Sequence, residues 1–199
     1  MPKAFVHILF RGRLLAMDRK SGGIRPIVDG YVWRRLAAQC ASAYAIGTLA
    51  DYFTPLQLGV GVQGGCDAAV HATRPFLSKM PDDYIIVKLD FFNTFNCLHR
   101  DAMLEHVNEI IPELYKFCHL ACSQHSTLLL GGFSLSSQHG RQQGDPLGGL
   151  LFCLAILPIL RSLRPHFQSA SWTTSPLVVT NPLSLRTLVY FASKEQKLA

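Results

Sequence analysis

The chain has 199 residues, 49% of them hydrophobic and 16% charged, with a formal net charge of +6. This balance supports one packed domain, or part of a larger one, and excludes wholesale disorder. The basic excess suits a polyanionic partner but identifies none.

The first residues, Met1-Pro2-Lys3-Ala4-Phe5, lack the continuous apolar core of a secretion signal, and their short apolar run ends at Arg11 and Arg13. Residues 13–17 and 24–28 are strand candidates joined through Asp18-Arg19-Lys20-Ser21-Gly22-Gly23, a hairpin signal. Residues 31–52 carry apolar positions near helical spacing. Residues 55–65 hold four glycines and read as a loop, and 66–79 as a second helix. A strand is expected over 84–89 and a helix over 98–110. Pro112 opens another helix, at a position that tolerates proline. Residues 127–130 and 133–136 flank Gly131-Gly132, a second hairpin signal. A polar loop at 140–145 leads through Pro146 into an apolar helix ending near 163.

The most apolar stretch, 148–160, is too short to span a bilayer and contains Pro158. Six cysteines form no Cys-x-x-Cys pair. Cys118 and Cys122 with His119 and His125 offer zinc-type donors, but no second ligand pair follows at finger spacing. Most of the thiols fall in apolar helical stretches, which suits buried reduced cysteines and a reducing compartment. The expectation is an intracellular protein, cytoplasmic or nuclear, neither secreted nor membrane-bound. Oligomeric state is not legible. Residues 1–164 read as one domain. From 165 to 199 periodicity is lost and prolines accumulate, so this tail is expected to be irregular.

Three blocks carry chemistry. Residues 86–98, Ile-Val-Lys-Leu-Asp-Phe-Phe-Asn-Thr-Phe-Asn-Cys-Leu, end a β-branched run in one carboxylate, Asp90. A strand that delivers a carboxylate to its tip can present a hard ligand to a divalent cation; Asp90 can equally cap the following helix. Gln142-Gln143-Gly144-Asp145-Pro146-Leu147-Gly148-Gly149 is a polar turn running into a helix. Gly144 permits close backbone approach and Gln143 offers an amide; the plain alternative is a loop-to-helix junction. Gly22-Gly23-Ile24-Arg25-Pro26-Ile27 presents a guanidinium beside a hairpin turn, suited to phosphate or to bulk solvent.

In this order and at these intervals the blocks resemble the reverse transcriptases of non-LTR retrotransposons, over roughly residues 10–164. The resemblance implies an α/β fold: a partial right-hand polymerase, fingers plus incomplete palm, without a thumb. It implies RNA-directed DNA polymerisation with Mg²⁺, an RNA template and a DNA primer. Asp90 and the backbone carbonyl of Phe91 would hold metal, and Phe95 would lie under the incoming sugar. Arg25, Lys20, Gln143 and Gly144 would contact the nucleotide. Gln57 and Gln63, in the glycine-rich loop, would position the template. Gly149 stands where the family usually has proline.

The family's third motif, an Asp-Asp pair in a hairpin, is missing. The adjacent pair Asp82-Asp83 precedes Asp90, and no acid occurs between Asp145 and Glu195. The coding frame offers an explanation. Trp172 has one codon, TGG, and threonine codons are ACN. Starting from the last base of the Trp172 codon gives GAC, aspartate; the next shifted triplet is aspartate if the Thr173 codon ends in G. In that frame 171–179 can spell Phe-Leu-Asp-Asp-Leu-Thr-Leu-Gly-Gly. This implies one base lost, or two gained, between about 157 and 172. The sequence therefore reads as a truncated, frameshifted and inactive copy, with the palm side of the 146–163 helix left partly uncovered and marginal stability or aggregation expected. Two other readings stay open: a non-catalytic basic nucleic-acid-binding module, and an enzyme completed by carboxylates from a partner chain or corrected frame.

Overall fold

The computed structural model describes residues 3–18, 22–81, 85–88, 96, 98–162, 167–171 and 174–180; for 3–4, 85–88 and everything beyond 162 it describes the backbone alone. Two compact units emerge, one from Met1–Ala45 with Asn93–Phe152, the other from Ile46–Phe92 with Cys153–Ala199.

In the first unit, helix α1 (Lys3–Phe10) buries Val6 and Phe10, one helical turn apart. Strands β1 (Gly12–Asp18) and β2 (Ile24–Gly30) form the expected hairpin, in register from Gly12 opposite Gly30 to Asp18 opposite Ile24. Gly22 and Gly23 both have φ above +80°, which glycine adopts without strain. Helix α2 (Val32–Phe53), which runs on past Ala45 into the second unit, buries Arg34, Ala38, Ser42, Ala45, Leu49 and Phe53, a stripe at three- and four-residue spacing.

Helix α4 (Arg100–Ile110) buries Met103, Leu104 and Val107. A 3₁₀ turn at Pro112–Leu114 leads into α5 (Tyr115–Cys122), which buries Cys118, Ala121 and Cys122. Strands β4 (Ser126–Leu130) and β5 (Phe133–Ser137) complete a four-stranded sheet in the order β2-β1-β4-β5, with β1 and β4 parallel. Helix α1 lies against β4 and α5.

The second unit holds α3 (Gly65–Leu77), with Pro75 in its last turn, and a three-stranded antiparallel sheet ordered β3-β7-β6. Its strands are β3 (Ile85–Lys88), β6 (Phe167–Ser171) and β7 (Thr174–Thr180), and α3 lies against β6. Helix α6 (Gly148–Ser162) starts in the first unit and ends in the second.

Two features of the C-terminal third bear on what the sequence led us to expect. Residues 165–199 are not irregular throughout: the β-branched run around Val178, Val179 and Thr180 pairs with Ile85–Lys88, and Phe167–Ser171 pairs on its other side. Along α6, Leu150, Leu151, Phe152, Cys153, Leu154, Ile156, Leu157 and Leu160 are buried, while Ala155 and Ile159 are half-buried and Pro158, Arg161 and Ser162 are exposed, so one stripe of the helix is partly uncovered. Among the described residues, no helix is long and apolar enough to cross a membrane.

Leu151→Ala, which opens a cavity at a fully buried position, is expected to lower stability by about 2–5 kcal/mol in urea unfolding. Phe133→Ser, at a site 76% exposed, is expected to change it by about 0.5 kcal/mol or less. Equal effects would contradict this placement of the core.

Candidate functional site

The 140–145 turn is docked onto the outer edge of the hairpin strand β2. The backbone N–H of Val28 donates to the carbonyl of Gln143 at 2.8 Å. Since β2 is a sheet edge, Val28 has a donor to spare there. Pro26, two residues earlier, faces its nitrogen the same way but carries no N–H, so pairing stops at Val28. Gly144 follows at φ +103°, and a Cβ there would stand 2.8 Å from the Val28 carbonyl oxygen. Glycine therefore brings this turn against protein backbone, a use the sequence reading did not include.

A buried charge cluster holds the turn in place. Asp145 Oδ2 accepts from Arg34 Nη1 at 3.0 Å and from Arg141 Nη2 at 2.7 Å, while Asp145 Oδ1 accepts the Leu147 N–H at 3.0 Å. All three charged side chains are buried. Arg34 passes over Gly30, where a Cβ would collide with its guanidinium, and lies 5.8 Å from the Phe10 ring centre. Arg141 Nη1 also donates to Cys122 Sγ at 3.2 Å. Beside them Gln142 Nε2 donates to Ser126 Oγ at 2.9 Å.

Burial alone would raise the Asp145 carboxyl, but the charges of Arg141 and Arg34 and the Leu147 N–H hold it below the usual carboxylate range. Burial pulls Arg34 below its ordinary value despite Asp145. Arg141 opposes burial with the shorter bond to Asp145 and two neighbouring thiols, and is raised.

Arg100 supports the turn from below. Its guanidinium donates to the carbonyls of Gly140, Cys122, Gln124 and Ser137 at 3.0 to 3.4 Å. It meets no carboxylate in these contacts. Instead it sits at the carbonyl end of α5, where the helix dipole favours a cation.

The expected site residues divide as follows. Arg25 is exposed on β2, three residues from Val28 and so roughly 10 Å along the strand. Gln143 is half-buried and Gly144 exposed. The Val28–Gln143 bond thus joins two blocks far apart in sequence. In the second unit Gln63 is exposed, whereas Gln57 is only 1% exposed and its Oε1 accepts the Gly59 N–H at 3.2 Å. Asp90, Phe91, Phe95 and Lys20 lie outside the described residues. Sequence reasoning missed Arg34, Arg100, Arg141 and Asp145. For Arg34 the one signal was an arginine in otherwise apolar helical surroundings, Val-Trp-Arg-Arg-Leu; Arg141 and Asp145 stand in a polar loop that gave none.

No family model matches the chain. A retrotransposable element SLACS 132 kDa protein of Trypanosoma brucei gambiense is 29% identical over 175 residues, covering 80% of this chain and 14% of that protein. Apo telomerase from Candida tropicalis superposes with a TM-score of 0.69 at 12% identity, over 97% of this chain and 43% of that one. Telomerase from Candida albicans, solved with a fragment of telomeric RNA, gives 0.67 at 9% identity, over 96% and 41%. The fold is therefore part of a right-hand polymerase. The chain is thus similar in sequence to part of a retrotransposable-element protein, and it spans about one seventh of that relative's length.

Asp145→Asn removes the charge facing two buried guanidinium groups and is expected to cost about 3–5 kcal/mol by urea unfolding. The depressed Asp145 carboxyl contributes stability that is complete above the unfolded value, about 4, and is lost as pH falls through the lower folded value. The wild-type chain should therefore weaken as pH drops below about 4, and Asp145→Asn should flatten that acid limb. An unchanged limb would show that this carboxylate is not paired.

Proposed function

We propose that this chain is the fingers and part of the palm of an RNA-directed DNA polymerase of the retrotransposon kind. It engages a template–primer hybrid and an incoming nucleotide but does not join nucleotides. The reading is supported above all by the Val28–Gln143 bond, which sets the arginine strand and the polar turn side by side. An exposed guanidinium suits a triphosphate, and a half-buried amide beside the exposed Gly144 suits a sugar or base edge. Hybrid binding would rest on backbone charge and helix shape.

Mg²⁺ in this class of reaction activates the primer hydroxyl and steadies the triphosphate. The donors present do not make such a site. Asp90 stands in the encoded chain without the paired carboxylates, and among the described residues no group of three or more His, Cys, Asp or Glu side chains is placed to hold a metal. No chemical step is assigned to this chain through a metal.

The runner-up is a non-catalytic basic module that binds nucleic acid alone, favoured by the exposed Arg11, Arg13 and Arg25 of the first unit. The two readings differ in nucleotide dependence. Fluorescence anisotropy with an RNA/DNA primer–template is expected to show binding that weakens with salt and tightens with the next complementary nucleotide. Arg25→Ala should reduce the nucleotide effect about tenfold or more while leaving most hybrid affinity. Binding indifferent to nucleotide would favour the basic module. Primer extension by the chain alone would contradict the proposal.

A further inference from the structure

Helix α2 has a second face. Within the first unit, one side of the helix buries Arg34, Ala38, Ser42 and Ala45, while on the opposite side Trp33, Ala37, Cys40 and Tyr44 are all exposed. At about 100° per residue these four fall within an arc of about 60° and form a line along the helix, with Val32 and Leu36 beside it. Trp33 is 67% exposed, Val32 70%, Leu36 50% and Tyr44 52%. The face therefore opens on the order of 600 Å² of mainly apolar surface, at the upper limit of what a monomer normally shows. It carries no charge. From Val32 to Ala50 the helix has two charged residues: Arg34 is buried against Asp145, and Arg35, off the line, is held by Asp29 at 2.8 Å. An uncharged face does not suit a polyanion, so its occupant is not nucleic acid.

The order of the residues says what fits. Their spacings run four, three, four, and their sizes run large, small, small, large, so the line reads the same from either end. A closed two-fold interface needs that property, because residue i of one copy meets j of the other and j meets i. An unrelated apolar helix would place no such demand. We propose that this face pairs antiparallel with the same face of a second copy of the chain. With the two-fold axis level with the peptide between Ala38 and Gln39, Trp33 of each copy meets Tyr44 of the other, and Ala37 meets Cys40. The small central residues let the helix axes approach to about 8 Å, and the aromatic pairs close the two ends. The pair covers roughly 1,000 Å² or a little more in total, enough for a specific dimer of modest affinity.

The pairing does not rest on the polymerase reading. Sedimentation velocity of the full chain is expected to show a monomer–dimer equilibrium over roughly 1–100 μM. Ala37→Glu puts a good helix former at an exposed position, so the fold should be kept, with unchanged circular dichroism and urea midpoint. It also sets two like charges in the centre of the pair and is expected to weaken it about tenfold or more. Register is read by mixing Ala37→Cys/Cys40→Ser chains with unaltered chains under mild oxidation. A disulfide joining position 37 of one copy to Cys40 of the other is expected, located by peptide mass mapping. A chain monomeric up to about 100 μM, open-ended aggregation in place of a dimer, association indifferent to Ala37→Glu, or absence of the 37–40 crosslink would each overturn the proposal.

Discussion

One backbone hydrogen bond, from Val28 to Gln143, organises the first unit. It extends a sheet edge by a single rung, onto a turn more than a hundred residues away in sequence. Everything nearby makes that rung possible and confines pairing to it. Pro26 withdraws the next donor, Gly144 removes the side chain that would block the approach, and Asp145 anchors the turn from its far side. A turn held by one rung would otherwise fray, because an isolated hydrogen bond contributes only about 1 kcal/mol.

The anchoring is electrostatic and buried, an expensive way to hold a loop. Two guanidinium groups share one carboxylate oxygen, leaving one net positive charge inside the unit. A cluster of this kind is weak evidence for stability and better evidence for a required geometry. Arg34 comes from the helix that follows the hairpin, Arg141 and Asp145 from the turn itself. The cluster thus fixes the turn relative to the hairpin and to α2 together. Arg100 adds a second constraint of different character, with one cation gathering carbonyls from a helix end, a strand end and the turn. Both devices serve the same few residues, which is the pattern expected where rigid positioning matters more than net stability.

Much of the architecture was readable in advance, for identifiable reasons. The β1–β2 and β4–β5 hairpins announce themselves through glycine turns between apolar runs, and α2 and α6 through length and apolar spacing. Arg25 and Gln143 were legible as candidates because their local patterns are distinctive, but nothing local says that they are neighbours. The Arg34–Asp145–Arg141 cluster was illegible for the same reason: partners 111 residues apart leave no periodic trace. Gln57 was expected to help position a template from the glycine-rich loop; it is buried, and its Oε1 accepts the Gly59 N–H of that loop. The strands beyond residue 166 were missed because Pro176 and the serines obscure a β-branched run that the partner strand β3 completes.

The account stands on the turn being held against β2, and amide hydrogen exchange at Val28 measures that directly. The Val28 amide should exchange slowly in the unaltered chain. It should exchange much faster in Asp145→Asn under conditions where the amides bonded between β1 and β2 remain protected. A Val28 amide that exchanges as freely as an open strand edge in the unaltered chain, or one whose protection is indifferent to Asp145, would contradict it.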